Sequence, residues 1–163
     1  ALEELGPTFI KFGQILSTRP DFLPPEFIKE LERLRDHTPP FKVSEALQII
    51  EKELGRPADK IFASFDPVPV AAASLSQVHK AALPNGDDVA VKIQRPGIRQ
   101  IIETDLAILQ DLAGFAEDRL HNGWLYRPRL MIEEYRKAVR KELDFTREAQ
   151  NFEKFRINFR IKA

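Results

Sequence analysis

The sequence predicts an α+β fold, mostly helices around one small antiparallel sheet, on three observations. Apolar residues recur at three- and four-residue spacing through both ends of the chain. Between those regions Val89, Val91 and Ile93 alternate with Ala90, Lys92 and Gln94, the period of two that marks a strand. Just before this run, Pro84-Asn85-Gly86-Asp87 contains an Asn-Gly pair, which favours a tight hairpin turn whose two central residues both accept positive φ.

The elements follow in order. Gly6-Pro7 opens a helix, since proline suits a first turn whose N–H groups have no partner. Leu5, Phe9, Phe12 and Leu16 then recur at helical spacing, which leaves Lys11 and Gln14 together on another face until Arg19-Pro20 ends the element. A second helix starts at Pro24-Pro25 and runs through Phe27, Ile28, Leu31 and Leu34 to Pro39-Pro40. Ser44 is expected to cap a third, through Leu47, Ile50 and Leu54, closed by Gly55 and Pro57. Pro67 and Pro69 argue against helix in the next stretch. The hairpin partner of the Lys92 strand is expected at about Gln77 to Leu83. After Pro96-Gly97, residues Ile98, Ile101, Ile102, Ile108, Leu109, Leu112 and Phe115 form one predicted apolar stripe that stops at Asn122-Gly123. Pro128 opens a last long helical region with Ile132, Tyr135, Val139 and Leu143, then Phe152, Phe155 and Phe159.

Composition narrows the function classes. With 163 residues and 43% hydrophobic content the chain can bury a sizeable core. Basic and acidic side chains number 25 each, so no global pull toward nucleic acid is implied. Basic groups do gather late, at Arg127, Arg129, Arg136, Lys137, Arg140, Lys141, Arg156, Arg160 and Lys162, a pattern that solvated helix faces commonly produce. Without cysteine there is neither a disulfide framework nor a thiolate metal site, and His37, His79 and His121 are too scattered for metal-ligand spacing. No apolar run approaches the ~20 residues of a spanning helix, so the chain is expected to be soluble as written. It opens without methionine and stops just after a helical segment, which suggests a piece of a longer protein.

Most familiar site motifs are missing. The seven glycines are too dispersed for G-x-G-x-x-G or a Walker loop, and neither G-x-S-x-G nor H-E-x-x-H occurs. What remains is Val89-Ala90-Val91-Lys92, similar to the V-A-I-K strand of protein kinases, whose lysine grips nucleotide phosphates and pairs with a helix glutamate. Alone the tetrad is ordinary strand composition and reads first as an edge-strand lysine reaching solvent. Asp144-Phe145-Thr146 imitates D-F-G but lacks the glycine and an upstream H-R-D-like loop, so it is not read as a metal site.

Context adds weight to Lys92. Ala71-Ala72-Ala73-Ser74 stands where a kinase has its glycine-rich loop, Lys11-Phe12-Gly13-Gln14 lies on the first helix, and Glu142-Leu143-Asp144 lies on the last. Read with the strand lysine, these K-x-G-Q, alanine-rich and E-x-D motifs resemble, in order and over nearly the whole chain, the UbiB family of atypical kinase-like proteins, also called aarF-domain kinases. Pro25 to Leu34 and Ile93 to Gly97 are similar to it as well.

The resemblance implies a protein-kinase-like N-lobe (67–163) with inserted helices, preceded by a helical extension (1–66) that carries K-x-G-Q. It implies that Lys11 pairs with Glu142, that Glu148 is the helix partner of Lys92, and that Ala71, Ala72, Ala73, Ser74 and Lys92 meet the nucleotide. Lys11, Gly13, Gln14, Glu142 and Asp144 would then be family-motif residues with a regulatory role. On an unbroken helix Glu142 and Glu148 point about 120° apart, so each could serve a different lysine. Without the family context the acidic residues would read as a solvated helix face.

ATP or ADP with Mg2+ is the implied cofactor. The metal and acceptor groups of phosphoryl transfer are expected in a C-lobe beyond Ala163, so the chain alone is expected not to turn over nucleotide. The implied role is support of isoprenoid-quinone biosynthesis, with a non-catalytic pseudokinase scaffold as the alternative. Implied partners are prenyl-lipid or quinone-biosynthesis proteins and a membrane surface, with the protein cytoplasmic or in an organellar matrix and peripheral to that membrane. Replacing glycine by alanine in the loop narrows its backbone options, which is expected to alter nucleotide preference.

Overall fold

A computed structural model describes residues 5–32, 38–119 and 127–159. The expected run of the second helix to Leu34 and the stop at Asn122-Gly123 lie outside these residues. The architecture is α+β: helix α1 (Pro7–Ser17), α2 (Pro25–Leu31) and α3 (Val43–Leu54), a 3-10 turn (Ala58–Lys60), four strands, then α4 (Ile98–Arg119), α5 (Pro128–Glu142) and α6 (Phe145–Asn158).

The strands are β1 (Ser64–Phe65), β2 (Ala71–Ala72), β3 (Ser76–Ala82) and β4 (Asp88–Gln94), all antiparallel. Strand β3 is central. On one side it pairs along its whole length with β4, from Ser76↔Gln94 to Ala82↔Asp88. On the other it meets β1 at Ala81 and Ala82, then β2 at Val78 and Gln77. Pro67 and Pro69, which have no N–H to donate, fall between β1 and β2 and split this edge in two. Residue 66, the expected boundary between extension and lobe, lies in that gap.

The sheet has two unlike faces. Gln77, His79 and Ala81 share one with Val89, Val91 and Ile93. There Ile93 packs with Ala46, Ile50 and Ala58 from α3 and the 3-10 turn, joined by Phe41, Phe62 and Phe65. The opposite face carries Ser76, Val78, Lys80, Ala90, Lys92 and Gln94. A second core lies between α4 and α5, where Ile98, Ile102, Leu106, Leu109 and Ala113 meet Ile132, Tyr135, Val139 and Leu143.

Four local expectations are corrected. The third helix starts at Val43, and the Glu45 carboxylate reaches back to accept from the Lys42 N–H at 3.1 Å, so Ser44 lies inside the first turn and is not the cap. The hairpin loop is longer than a two-residue turn, spanning 83–87. Leu83 N–H donates to Asp87 O, Gly86 N–H donates to Leu83 O, and Gly86 alone takes positive φ, at 94°. On α4 the buried stripe is 98, 102, 106, 109 and 113, while Ile101, Ile108, Leu112 and Phe115 are exposed because α5 covers the neighbouring face.

The last helical region is not continuous. Helix α5 ends at Glu142, and Asp144 becomes the N-cap of α6, its Oδ1 accepting from the Arg147 N–H at 3.0 Å. A carboxylate satisfying a first-turn N–H competes with helix continuation, and here the new cap prevails. The Leu143 carbonyl left at the break accepts from Gln94 Nε2 at 3.0 Å and Arg99 Nη2 at 2.7 Å. Sheet and α4 together hold this corner.

Candidate functional site

Two ion pairs define the site, each assembled from segments far apart in sequence. Alternation along β4 puts Lys92 on the face away from the α3 core. Its Nζ donates to Glu148 Oε1 at 2.9 Å and Oε2 at 2.7 Å, and it lies 4.8 Å from the centre of the Phe145 ring. Glu148 falls one turn into α6 because Asp144 starts that helix, and Gln94, two residues from Lys92, grips the corner just before it. The lysine and glutamate are 39% and 38% exposed, so the pair contributes about 1 kcal/mol or less to stability. The pair holds the Lys92 ammonium at a fixed place on the cleft wall.

The second pair joins α1 to the end of α5. Tyr135, fully buried, donates its hydroxyl to the Thr8 carbonyl at 2.6 Å, and its ring lies 5.0 Å from that of Phe12. Burial, with the Asp105 and Glu142 carboxylates nearby, pushes the Tyr135 phenol well above its ordinary value, so it stays a donor. Lys11 sits one turn beyond Thr8 on α1, and Glu142 sits two turns beyond Tyr135 on α5, so docking one helix on the other brings them together. Lys11 Nζ lies 2.8 Å from Glu142 Oε2.

Both pairs border one cleft of about 540 Å3, lined also by Ala73, Ser74, Leu75, Ser76, Lys141, Phe145, Arg147 and Asn151. Of the predicted site residues, Lys11, Ala73, Ser74, Lys92, Glu142 and Glu148 are thus gathered in one place. Ala71 and Ala72 are instead paired to β3, Gly13 is buried in α1, Gln14 does not line the cleft, and Asp144 serves as a helix cap. The division of the two glutamates holds, but its geometric cause is the break at Leu143-Asp144 and not the turn of one continuous helix. A second hollow of about 560 Å3, between α3 and β1, contains none of the predicted site residues.

Sequence reasoning missed Lys141, Arg147 and Asn151, which line the cleft, and Gln94, Arg95 and Arg99, which hold its walls. A signal was present for Arg95 in the Ile93 to Gly97 run. None was present for Lys141 and Arg147, which look like any charged helix residue. The late basic run is largely neutralised: Arg129, Arg136, Lys137, Arg140 and Arg156 all pair with acids. Among the described residues Lys141 and Arg147 have no ion-pair partner, no group of three or more His, Asp or Glu could hold a metal ion, and no helix is long and apolar enough to cross a membrane.

A small antiparallel sheet whose strand lysine pairs with a helix glutamate beside a cleft defines the small lobe of a kinase-like protein. Comparison with known proteins narrows this class. The model of the ABC1 atypical kinase-like domain matches residues 33–162, and the chain belongs to that family. It is 48% identical over 159 residues to the probable protein kinase UbiB of Marinobacter nauticus, covering 98% of this chain and 29% of that protein. It is equally 48% identical over 159 residues to the uncharacterized protein sll1770 of Synechocystis sp., covering 98% and 27%. Among solved structures, the Rv3197–erythromycin complex from Mycobacterium tuberculosis matches with a TM-score of 0.54 and 32% identity, over 82% of this chain and 34% of that one. The chain therefore spans less than a third of the length of the curated relatives it matches.

Proposed function

We propose that this chain is the nucleotide-covering lobe and regulatory extension of an atypical kinase or ATPase, with the Lys92 cleft receiving the phosphates of ATP or ADP. The observation that carries this reading is the Lys92–Glu148 pair, with Nζ held 2.9 and 2.7 Å from the two carboxylate oxygens at a cleft wall. Glu148 neutralises Lys92 without ligand and holds its ammonium in place for an anion. Lys11 and Glu142 neutralise each other, which leaves Lys141 and Arg147 as two further cations on the lining. That excess of positive charge suits a polyphosphate. Ala73 and Ser74 would form the rim, with the stiffer backbone of alanine limiting how closely the loop follows the phosphates.

Among the described residues no group of three or more His, Asp or Glu could hold magnesium, so in this reading the metal's ligands lie outside them. In this reading the intact protein supports isoprenoid-quinone biosynthesis, for which the 48% identity to the probable protein kinase UbiB is the support. Contact with prenyl-lipid or quinone-biosynthesis partners at a membrane surface is part of the same proposal. Binding of the full-length protein to anionic liposomes at low salt tests it, and no binding there removes the membrane from the reading.

The deciding experiment is a magnesium-nucleotide titration of the full-length protein with and without Lys92→Ala. The expected result is a nucleotide-induced rise in Tm that Lys92→Ala abolishes. An identical rise in both would mean that the nucleotide, if bound, is bound elsewhere. Saturable binding without any turnover would point to a pseudokinase scaffold.

A further inference from the structure

Residues 38–42 lead into α3 without regular structure, yet they are held at two points. At the first, Gln77 Oε1 accepts from the Phe41 N–H at 3.0 Å and Gln77 Nε2 donates to the Phe41 carbonyl at 3.4 Å. Gln77 is buried in β3, and its amide nitrogen also lies 2.8 Å from His79 Nε2, while His79 Nδ1 lies 2.8 Å from the Asp66 carbonyl. This strap is therefore anchored to the sheet by a buried polar network.

The second point is Arg95, three residues beyond Lys92. Its Nη2 donates to the Pro39 carbonyl at 3.0 Å and also to the Ala73 carbonyl at 3.0 Å, while the guanidinium lies 5.4 Å from the centre of the Phe41 ring. Pro39 and Pro40 have no N–H, so this stretch cannot knit itself into the sheet as a full strand, and its carbonyls depend on donors from elsewhere. The Arg95 backbone N–H donates to Leu75 O at 2.9 Å. One residue thus holds the Ala73 carbonyl of the alanine-rich loop and the Leu75 carbonyl just beyond it, and ties both to the strap.

We propose that Arg95 is a positioning residue that couples the strap to the alanine-rich loop, so that release of the strap changes which nucleotide the loop accepts. Arginine suits the task because one planar cation can bridge two carbonyls and lie against an aromatic ring, whereas a lysine ammonium is a point charge without that plane. The consequence for nucleotide rests on the reading of the Lys92 cleft given above; the coupling itself does not.

Hydrogen exchange of the full-length protein without nucleotide tests the coupling. The reporters are the Phe41 N–H and the Ala73 N–H, which donates to Ser76 O at 2.8 Å. Arg95→Ala is expected to speed exchange at both by about tenfold, the loss of charge-assisted hydrogen bonds, while β3–β4 amides and Tm hold. Arg95→Lys is expected not to restore protection. Phe41→Ala should speed Ala73 exchange in the wild-type background and add nothing in Arg95→Ala. In the same variants the ratio of ATP to ADP affinity should change at least threefold. Overturning results are an Ala73 amide indifferent to Phe41→Ala, full rescue by lysine, faster exchange throughout the lobe with a fallen Tm, or an unchanged affinity ratio. If the wild-type protein binds neither nucleotide, the cleft reading has failed and the exchange result alone decides the coupling.

Discussion

Lys11 Nζ lies 2.8 Å from Glu142 Oε2, although 130 residues separate them, and the pair closes the extension helix onto the helix end that borders the Lys92 cleft. Lys11 is 17% exposed and Glu142 44%, so water screens one partner much more than the other.

That asymmetry makes the pair a weak stabiliser. Lys11→Ala and Glu142→Ala should each cost about 1 kcal/mol or less, with a coupling of the same size in a double-mutant cycle followed by equilibrium unfolding. A coupling near 4 kcal/mol would mean that the pair behaves as a buried one.

Lys92→Ala should weaken nucleotide binding by more than tenfold in isothermal titration, and Glu148→Gln by less, since the cation remains but loses its fixed partner. Neither should move the Tm of the nucleotide-free protein by more than a few degrees, because the pair is exposed.

Tyr135 has a phenol pushed above its ordinary value of 10.0, so folding favours its protonated form. The stability this supplies is fully present below pH 10 and is lost as pH rises further, since the unfolded tyrosine ionises first. Tyr135→Phe should flatten the decline of Tm above pH 10. It should also cost about 1 kcal/mol at neutral pH, because the hydrogen bond to the Thr8 carbonyl is lost.

Two isoleucines of α4 should respond very unequally to truncation. Ile102, fully buried between α4 and α5, should cost about 2–5 kcal/mol as alanine. Ile108, half exposed, should stay within about 0.5 kcal/mol. Denaturant midpoints at constant m decide it.

Ala73→Gly loosens a residue on the cleft rim and should change the relative affinity for ATP and ADP in a competition titration. Ala71→Gly lies in a strand pair off the cleft and should leave that ratio alone. Equal effects would mean that the whole loop acts as one unit.

Much of this fold was legible in the chain. The helices at Pro7, Pro25 and Pro128 begin at prolines suited to first turns, and the strand at Val89 to Ile93 follows from its alternation. Its partner β3 lies one residue earlier than expected, because the loop takes five residues where a two-residue turn was read from Asn85-Gly86. The motif residues Lys11, Lys92, Glu142 and Glu148 were nameable only because four motifs occurred together. By type each is an ordinary surface charge. Lys141 and Arg147 stayed hidden for that reason, since nothing local distinguishes a cation facing a cleft from one facing bulk water.

Periodicity, proline placement and turn chemistry act over a few residues, so helices, hairpin and strand faces could be read before any tertiary contact was known. The rest required the packed chain. Helix α4 carries two adjacent apolar stripes, and only the docking of Ile132, Tyr135 and Val139 selects the one that is buried. The helix break at Leu143-Asp144, capped locally by Asp144, is also held by Gln94 and Arg99, which from a distant strand and helix satisfy the carbonyl that the break exposes. The ion pairs Lys11–Glu142 and Lys92–Glu148 then follow from where those elements sit. Contacts worth about 1 kcal/mol cannot draw such remote segments together; burial of the two cores does that, and the charged site is assembled as its consequence.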